Sequence, residues 1–169
     1  MKIAKAISFS TLLLFLALTS AFGQASQTVN VNATIITGLS MTVNRHLNLG
    51  SIVPSTSGAI SVTLDPSVAS ARTKTGTGGF IVGNSHASAQ LSVTGQANTQ
   101  VSITLPNSVI VLSGSNAMEI TNFNSSASGN SLTLDQNGSA VFYVGTTINL
   151  SQNQAVGLYE GSFQVVVNY

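Results

Sequence analysis

The sequence predicts an all-β protein, a sandwich of antiparallel strands, with a closed β-barrel as the second choice. Three observations carry this prediction. Beyond residue 23 the chain is a series of short apolar–polar alternations, most of them ended by Gly, Pro, Asn or Asp, and a period of two is that of a half-buried strand. No stretch beyond residue 23 keeps the 3.6-residue period of an amphipathic helix. The strands are many, short and closely spaced, which suits a sandwich better than alternating strands and helices.

Residues 1–23 stand apart from this pattern. Lys2 and Lys5 precede an apolar run from Ile7 to Leu18, and the small-residue pattern ending at Gly23 offers a cleavage site before Gln24. This is the grammar of a secretory signal peptide. The run is short for a bilayer span and no basic flank follows it. The expectation is therefore export with cleavage, no stable membrane insertion afterwards, and one domain over residues 24–169. No Cys follows the run, so lipid anchoring through an N-terminal cysteine is excluded. The destination is the periplasm, the cell surface or the medium.

Residues 28–36 place Val29, Val31, Ala33 and Ile35 on one face. The sequence favours a first strand of the chain's own sandwich here. The alternative is a strand donated to a neighbouring subunit, because an open sheet edge offers unpaired backbone groups. After Gly38, Leu39, Met41 and Val43 resume the alternation, and residues 47–50 form a short strand ended by Gly50. Residues 59–64 follow, stopped by the turn dipeptide Asp65-Pro66. Residues 67–79 form the main irregular loop.

The second half repeats the grammar with strands over 90–94, 100–105, 109–112, 117–123, 131–134, 139–144 and 146–150. Residues 124–130 are a polar loop, and Asp135-Gln-Asn-Gly138 is a hairpin turn. The last thirteen residues form one long strand. Tyr159, Phe163, Val165, Val167 and Tyr169 share a buried face, Glu160, Ser162, Gln164 and Asn168 share the wet one, and Gly157 and Gly161 stand near its start. At ~3.3 Å per residue such a strand reaches roughly 35–40 Å.

Charge narrows the function. Without the leader, Arg45, Arg72 and Lys74 face Asp65, Glu119, Asp135 and Glu160, a net charge of −1. That leaves no basic footprint for nucleic acid. Charged residues are 5% of the chain against ~25% in ordinary soluble domains, so solubility rests on Ser, Thr, Asn and Gln. Neutral polar surfaces suit packing against copies of the chain or other neutral surfaces. With no Cys, the fold holds without disulfides.

Catalytic chemistry finds no foothold. Neither His46 nor His86 has another His, Cys or carboxylate at ligand spacing. Asp65 and Asp135 lie beside turn residues and Glu160 on a wet strand face, so turn formation and solubility account for the carboxylates. Gly76-Thr-Gly-Gly79 lacks the Lys-Ser/Thr ending of a phosphate loop. The expectation is a protein with no catalytic site, metal or cofactor.

The ordered series Ala33-Thr-Ile35, Leu47-Asn-Leu-Gly50, Gly58-Ala-Ile-Ser-Val-Thr-Leu-Asp65, Leu91-Ser-Val-Thr-Gly95, Val101-Ser-Ile-Thr-Leu-Pro106, Ala117-Met-Glu-Ile-Thr-Asn-Phe123 and Tyr143-Val-Gly-Thr-Thr-Ile148, closed by Gly157-x-Tyr159-x-Gly161-x-Phe163 and Val165-x-Val167-x-Tyr169, resembles the DUF4402 family of exported bacterial proteins. His46 and Leu49 stand where that family usually has an acidic residue and an aromatic. The resemblance implies an immunoglobulin-like sandwich, loosely similar to chaperone–usher pilin subunits. The expected function is an exported structural or cell-surface protein, a pilin-like subunit assembling through strand exchange. Its partners would be further copies or other surface proteins. The alternative is a soluble carbohydrate- or protein-binding module acting through its loops.

Overall fold

In the computed structural model, which describes residues 24–169, most of the predicted alternations are paired strands. The predicted leader, with Gly23 of the predicted cleavage pair, lies outside the described residues. The strands are β1 (Ser40–Arg45), β2 (Ser51–Val53), β3 (Ile60–Leu64), β4 (Arg72–Gly76), β5 (Phe80–Val82), β6 (Ala89–Thr94), β7 (Gln100–Thr104), β8 (Ser108–Ser113), β9 (Asn116–Ser125), β10 (Ser131–Thr133), β11 (Ser139–Leu150) and β12 (Val166–Asn168). The chain divides into two units between Ile35 and Ile36. Residues 24–35 carry no regular secondary structure and are exposed throughout.

Within residues 36–169 the large antiparallel sheet runs β1-β6-β11-β3-β4, with β9 also on β11 and β8 on β9. A smaller sheet runs β10-β7-β12, and β2 pairs with β5. The large sheet curls into a half-barrel without closing, so the sandwich expectation holds and the barrel does not. β11 organises the molecule. Its first half pairs with β6 and its second half with β3 on one side, while β9 pairs along Val144–Asn149 on the other. Gly145 sits where the partner changes, and a Cβ there would collide with the Leu64 carbonyl and Pro66.

Two apolar clusters fill the inner face. Leu91, Val93 and Phe142 of the large sheet meet Val101, Ile103 and Leu134 across the sandwich. Ile60, Val62, Ile148 and Leu150 join Val111, Met118 and Ile120 in the second cluster. Phe123 packs against both. At the first cluster the two inner faces thus meet as those of a sandwich should, while the buried members of the second all belong to the curled large sheet.

Several expectations need correction. Residues 28–36 form no strand, because alternation fixes which way a strand would face without supplying a partner to pair with. Residues 67–79 are not one irregular loop, since β4 lies inside them and pairs with β3 in register. Arg-Thr-Lys-Thr is polar throughout, as an edge strand outside the core can be. The short strand at 47–49 is reduced to one bridge between Asn48 and Ala87, and β2 lies just beyond it. Residues 139–150 are one strand rather than two. The turn at Asp135–Gly138 exists, with the Asp135 carboxylate accepting from the Asn137 and Ser139 N–H groups at 2.8 and 2.9 Å. Its flanking strands, β10 and β11, belong to different sheets, so it is a corner of the sandwich and not a hairpin.

The last strand is also shorter than expected. Ladder pairing is limited to β12 on β7, plus an isolated bridge between Leu112 and Glu160. The segment between them crosses from the edge of one sheet to the edge of the other, so no single partner can follow it. Its facing is nevertheless as predicted. Tyr159, Phe163, Val165 and Val167 are half-buried, while Glu160, Ser162, Gln164 and Asn168 are exposed. Tyr169 is the exception, being largely exposed.

Candidate functional site

The seven residues of the closing signature lie along one segment that ties the two clusters together. Gly157 and Gly161 allow close approach: a Cβ would press on the Ser113 side chain at the first and the Val111 side chain at the second. The Tyr159 hydroxyl donates to the Ala155 carbonyl at 2.8 Å and accepts from the Gln154 amide at 2.9 Å, with its ring on the second cluster. The Phe163 ring lies 4.8 Å from that of Phe123, tilted by 49°, a favourable aromatic arrangement. Val165 and Val167 pack on the first cluster. The Tyr169 hydroxyl accepts from the Gln96 N–H at 2.8 Å and donates to the Thr37 carbonyl. Every one of these roles is structural.

The same segment forms one wall of an open groove of about 1030 Å³. The opposite wall and floor include Met41 and Val43 of β1, Leu91 of β6, Val111 of β8 and Met118 of β9. Register shows what this groove is. Met41 pairs with Val93 and Val43 with Leu91, and directly paired residues of antiparallel strands point to the same face. Val93 and Leu91 are core residues, 0% and 3% exposed, yet Met41 and Val43 are 37% and 48% exposed. The core face of β1 is therefore uncovered. Among the described residues β1 pairs only with β6 and β12 only with β7, so each presents a free edge there. Apolar side chains on the core face of a sheet gain by leaving water, so this exposed face of β1 marks the groove as an incomplete part of the sandwich. The alternation of β1 was legible in sequence. That nothing among residues 36–169 covers it was not, because periodicity carries no information about the opposing sheet.

The candidate chemical residues are scattered. Among the described residues no group of three or more His, Cys, Asp or Glu side chains could hold a metal ion. His46 lies at the groove, whereas Glu119 is exposed on β9 and Asp135 is spent on its turn. The His86 Nδ1 is buried without a hydrogen-bond partner. Among the described residues no helix is long and apolar enough to cross a membrane.

Two arginines hold loops instead. The Arg72 guanidinium donates to the carbonyls of Leu49 at 2.8 Å and Val82 at 3.3 Å, and also to that of Gly83. Partial burial lowers its pKa from the ordinary value, leaving it cationic at neutral pH. Arg45 donates to the Ser88 carbonyl at 3.0 Å and to the Ser88 hydroxyl at 3.2 Å. The Ser88 hydroxyl in turn donates to the Ser67 carbonyl at 2.7 Å and lies 3.0 Å from the buried Ser70 hydroxyl. Sequence reasoning missed this serine network because serine is too common in the chain for any one to stand out.

A family described as "Domain of unknown function (DUF4402)" matches residues 39–169. No curated protein and no solved structure matches the chain.

Proposed function

The chain belongs to the DUF4402 family, and from that premise we propose that it is an exported, non-catalytic structural subunit of the cell surface that assembles with copies of itself by strand exchange. One observation carries the reading. Val29, Val31 and Ile35 have the strict alternation of a half-buried strand, yet they are 80%, 90% and 97% exposed. Apolar side chains on one face of a potential strand gain by leaving water, and a sheet edge elsewhere supplies the missing backbone partners. The low charge supports the same reading, since copies whose residues 24–169 carry a net charge of −1 repel one another little. The leader grammar of residues 1–23 supports a location outside the cytoplasm.

Sedimentation of the chain from Gln24 onward tests this. Oligomers should grow with concentration, and the Val29→Asp, Val31→Asp double variant should stay monomeric with an unchanged far-UV spectrum. A wild-type chain that stays monomeric at every concentration would overturn the proposal.

A second reading has its own observation. Asn107, Asn122 and Asn130 line an open pocket of about 570 Å³ with Thr104 and Pro106. Neutral amides there suit hydrogen bonding to an uncharged ligand such as a carbohydrate. A glycan array without signal above background would dismiss it.

A further inference from the structure

We infer that the groove between β1 and residues 157–165 is the acceptor site for residues 28–36 of a second copy of the chain. This rests on the assembly reading above and adds to it the place where the donated strand lodges.

The groove specifies the chemistry of its occupant. Its floor is the uncovered core face of the large sheet, so the occupant must present apolar side chains on one face only. Its rims are the free edge of β1 and the stretch between Glu160 and Val166, where ladder pairing lapses. Unpaired backbone at both rims calls for an extended main chain, because backbone donors and acceptors removed from water must be bonded. The occupant must also be uncharged, since an ion buried among Met, Val and Leu without a partner is costly.

Within residues 28–36, Thr-Val-Asn-Val-Asn-Ala-Thr-Ile-Ile, the stretch from Thr28 to Ile35 meets all three conditions, and Ile36 falls outside the alternation. Val29, Val31, Ala33 and Ile35 repeat at the pitch of a strand, polar residues alternate with them, and no charge occurs between Gln24 and Gly38. A return of these residues to the groove of their own chain faces an obstacle. The Thr37 N–H already donates to the Gln96 side chain at 3.3 Å, and the Thr37 carbonyl accepts from Tyr169. Folding back along β1 would have to reverse the chain between Ile36 and Ser40, a stretch that these two bonds already tie to Gln96 and Tyr169. A second copy meets no such restriction.

The chain has no native Cys, which permits a clean cross-linking test. One set of chains carries a single cysteine at each position from Val29 to Ile35 in turn; the other carries Val43→Cys on the groove face of β1. A disulfide forms only when the two Cβ atoms come within about 3.5–4.5 Å. On mixing under mild oxidation, chains substituted at Val29, Val31, Ala33 or Ile35 should give a linked heterodimer at one or two positions. Those substituted at Asn30, Asn32 or Thr34 should give none.

Equal linking on both faces would overturn the inference. A Val31→Cys, Val43→Cys double variant that links within one chain at high dilution would also overturn it, by showing that the strand closes its own sandwich. Oligomers that form without any link to position 43 would remove the groove as acceptor and leave the assembly reading standing. Absence of both oligomers and links would remove the two together.

Discussion

The two ends of the described chain carry the same pattern and meet opposite fates. Residues 29–35 and 159–167 both alternate apolar and polar side chains, and both are nearly uncharged. The C-terminal segment lays Phe163, Val165 and Val167 on the first core cluster and Tyr159 on the second. The N-terminal segment leaves Val31 and Ile35 almost wholly in solvent. Alternation therefore encodes a face and leaves the partner unspecified. The partner comes from elsewhere: Phe123 and β7 for the C-terminal segment, another chain, on our proposal, for the N-terminal one.

Substitutions at the two ends can break this contrast. The largest effect belongs to Phe163→Ala, which should cost about 3 kcal/mol, the lower end of the range for removing a packed phenyl ring, read as a fall in the urea midpoint. A neutral result would place the C-terminal segment with the N-terminal one. Tyr169→Phe should follow at about 1 kcal/mol, because the hydroxyl joins Gln96 to Thr37 and a lost hydrogen bond typically costs that much. Val31→Asp should leave the stability of the monomer within about 0.5 kcal/mol while abolishing oligomers in sedimentation. A destabilised Val31→Asp monomer would mean that this side chain is packed within its own chain. The smallest effect is expected for Gln164→Ala, within about 0.5 kcal/mol, despite its adjacency to Phe163.

Ionic strength sharpens the same comparison. Assembly driven by apolar side chains and sheet hydrogen bonds should keep the same oligomer fraction as salt rises from about 0.1 to 1 M, over which the Debye length shrinks from ~10 to ~3 Å. Oligomers that dissolve with added salt would point to charge pairing instead.

How much of this was legible beforehand depends on which physical quantity was being read. Strands that alternate, such as β3 and β7, were plain because their buried and exposed residues repeat at period two. β4 was hidden because Arg72 to Thr75 are all polar, and its strand character comes from pairing with β3. The turn at Asp135 was visible from its residue types, while its role as a corner depended on which sheets β10 and β11 join. Facing along the closing segment was readable from Tyr159 to Val167. Its lapse in pairing was not, because it depends on which strands the segment meets at its two ends, β8 at Glu160 and β7 from Val166. The groove was invisible for a similar reason: Met41 and Val43 read as ordinary core residues, and only register beside Leu91 and Val93 exposes what is missing above them.

Backbone hydrogen exchange over residues 28–36 tests the central claim most directly, since amides outside any ladder exchange freely and amides in a paired strand are protected. These residues should exchange without protection in the monomer and become protected in the oligomer, with the free edges of β1 and residues 161–165 gaining protection alongside them. Strong protection of residues 28–36 in the monomer would contradict the account, for it would mean that the strand already has its partner at home.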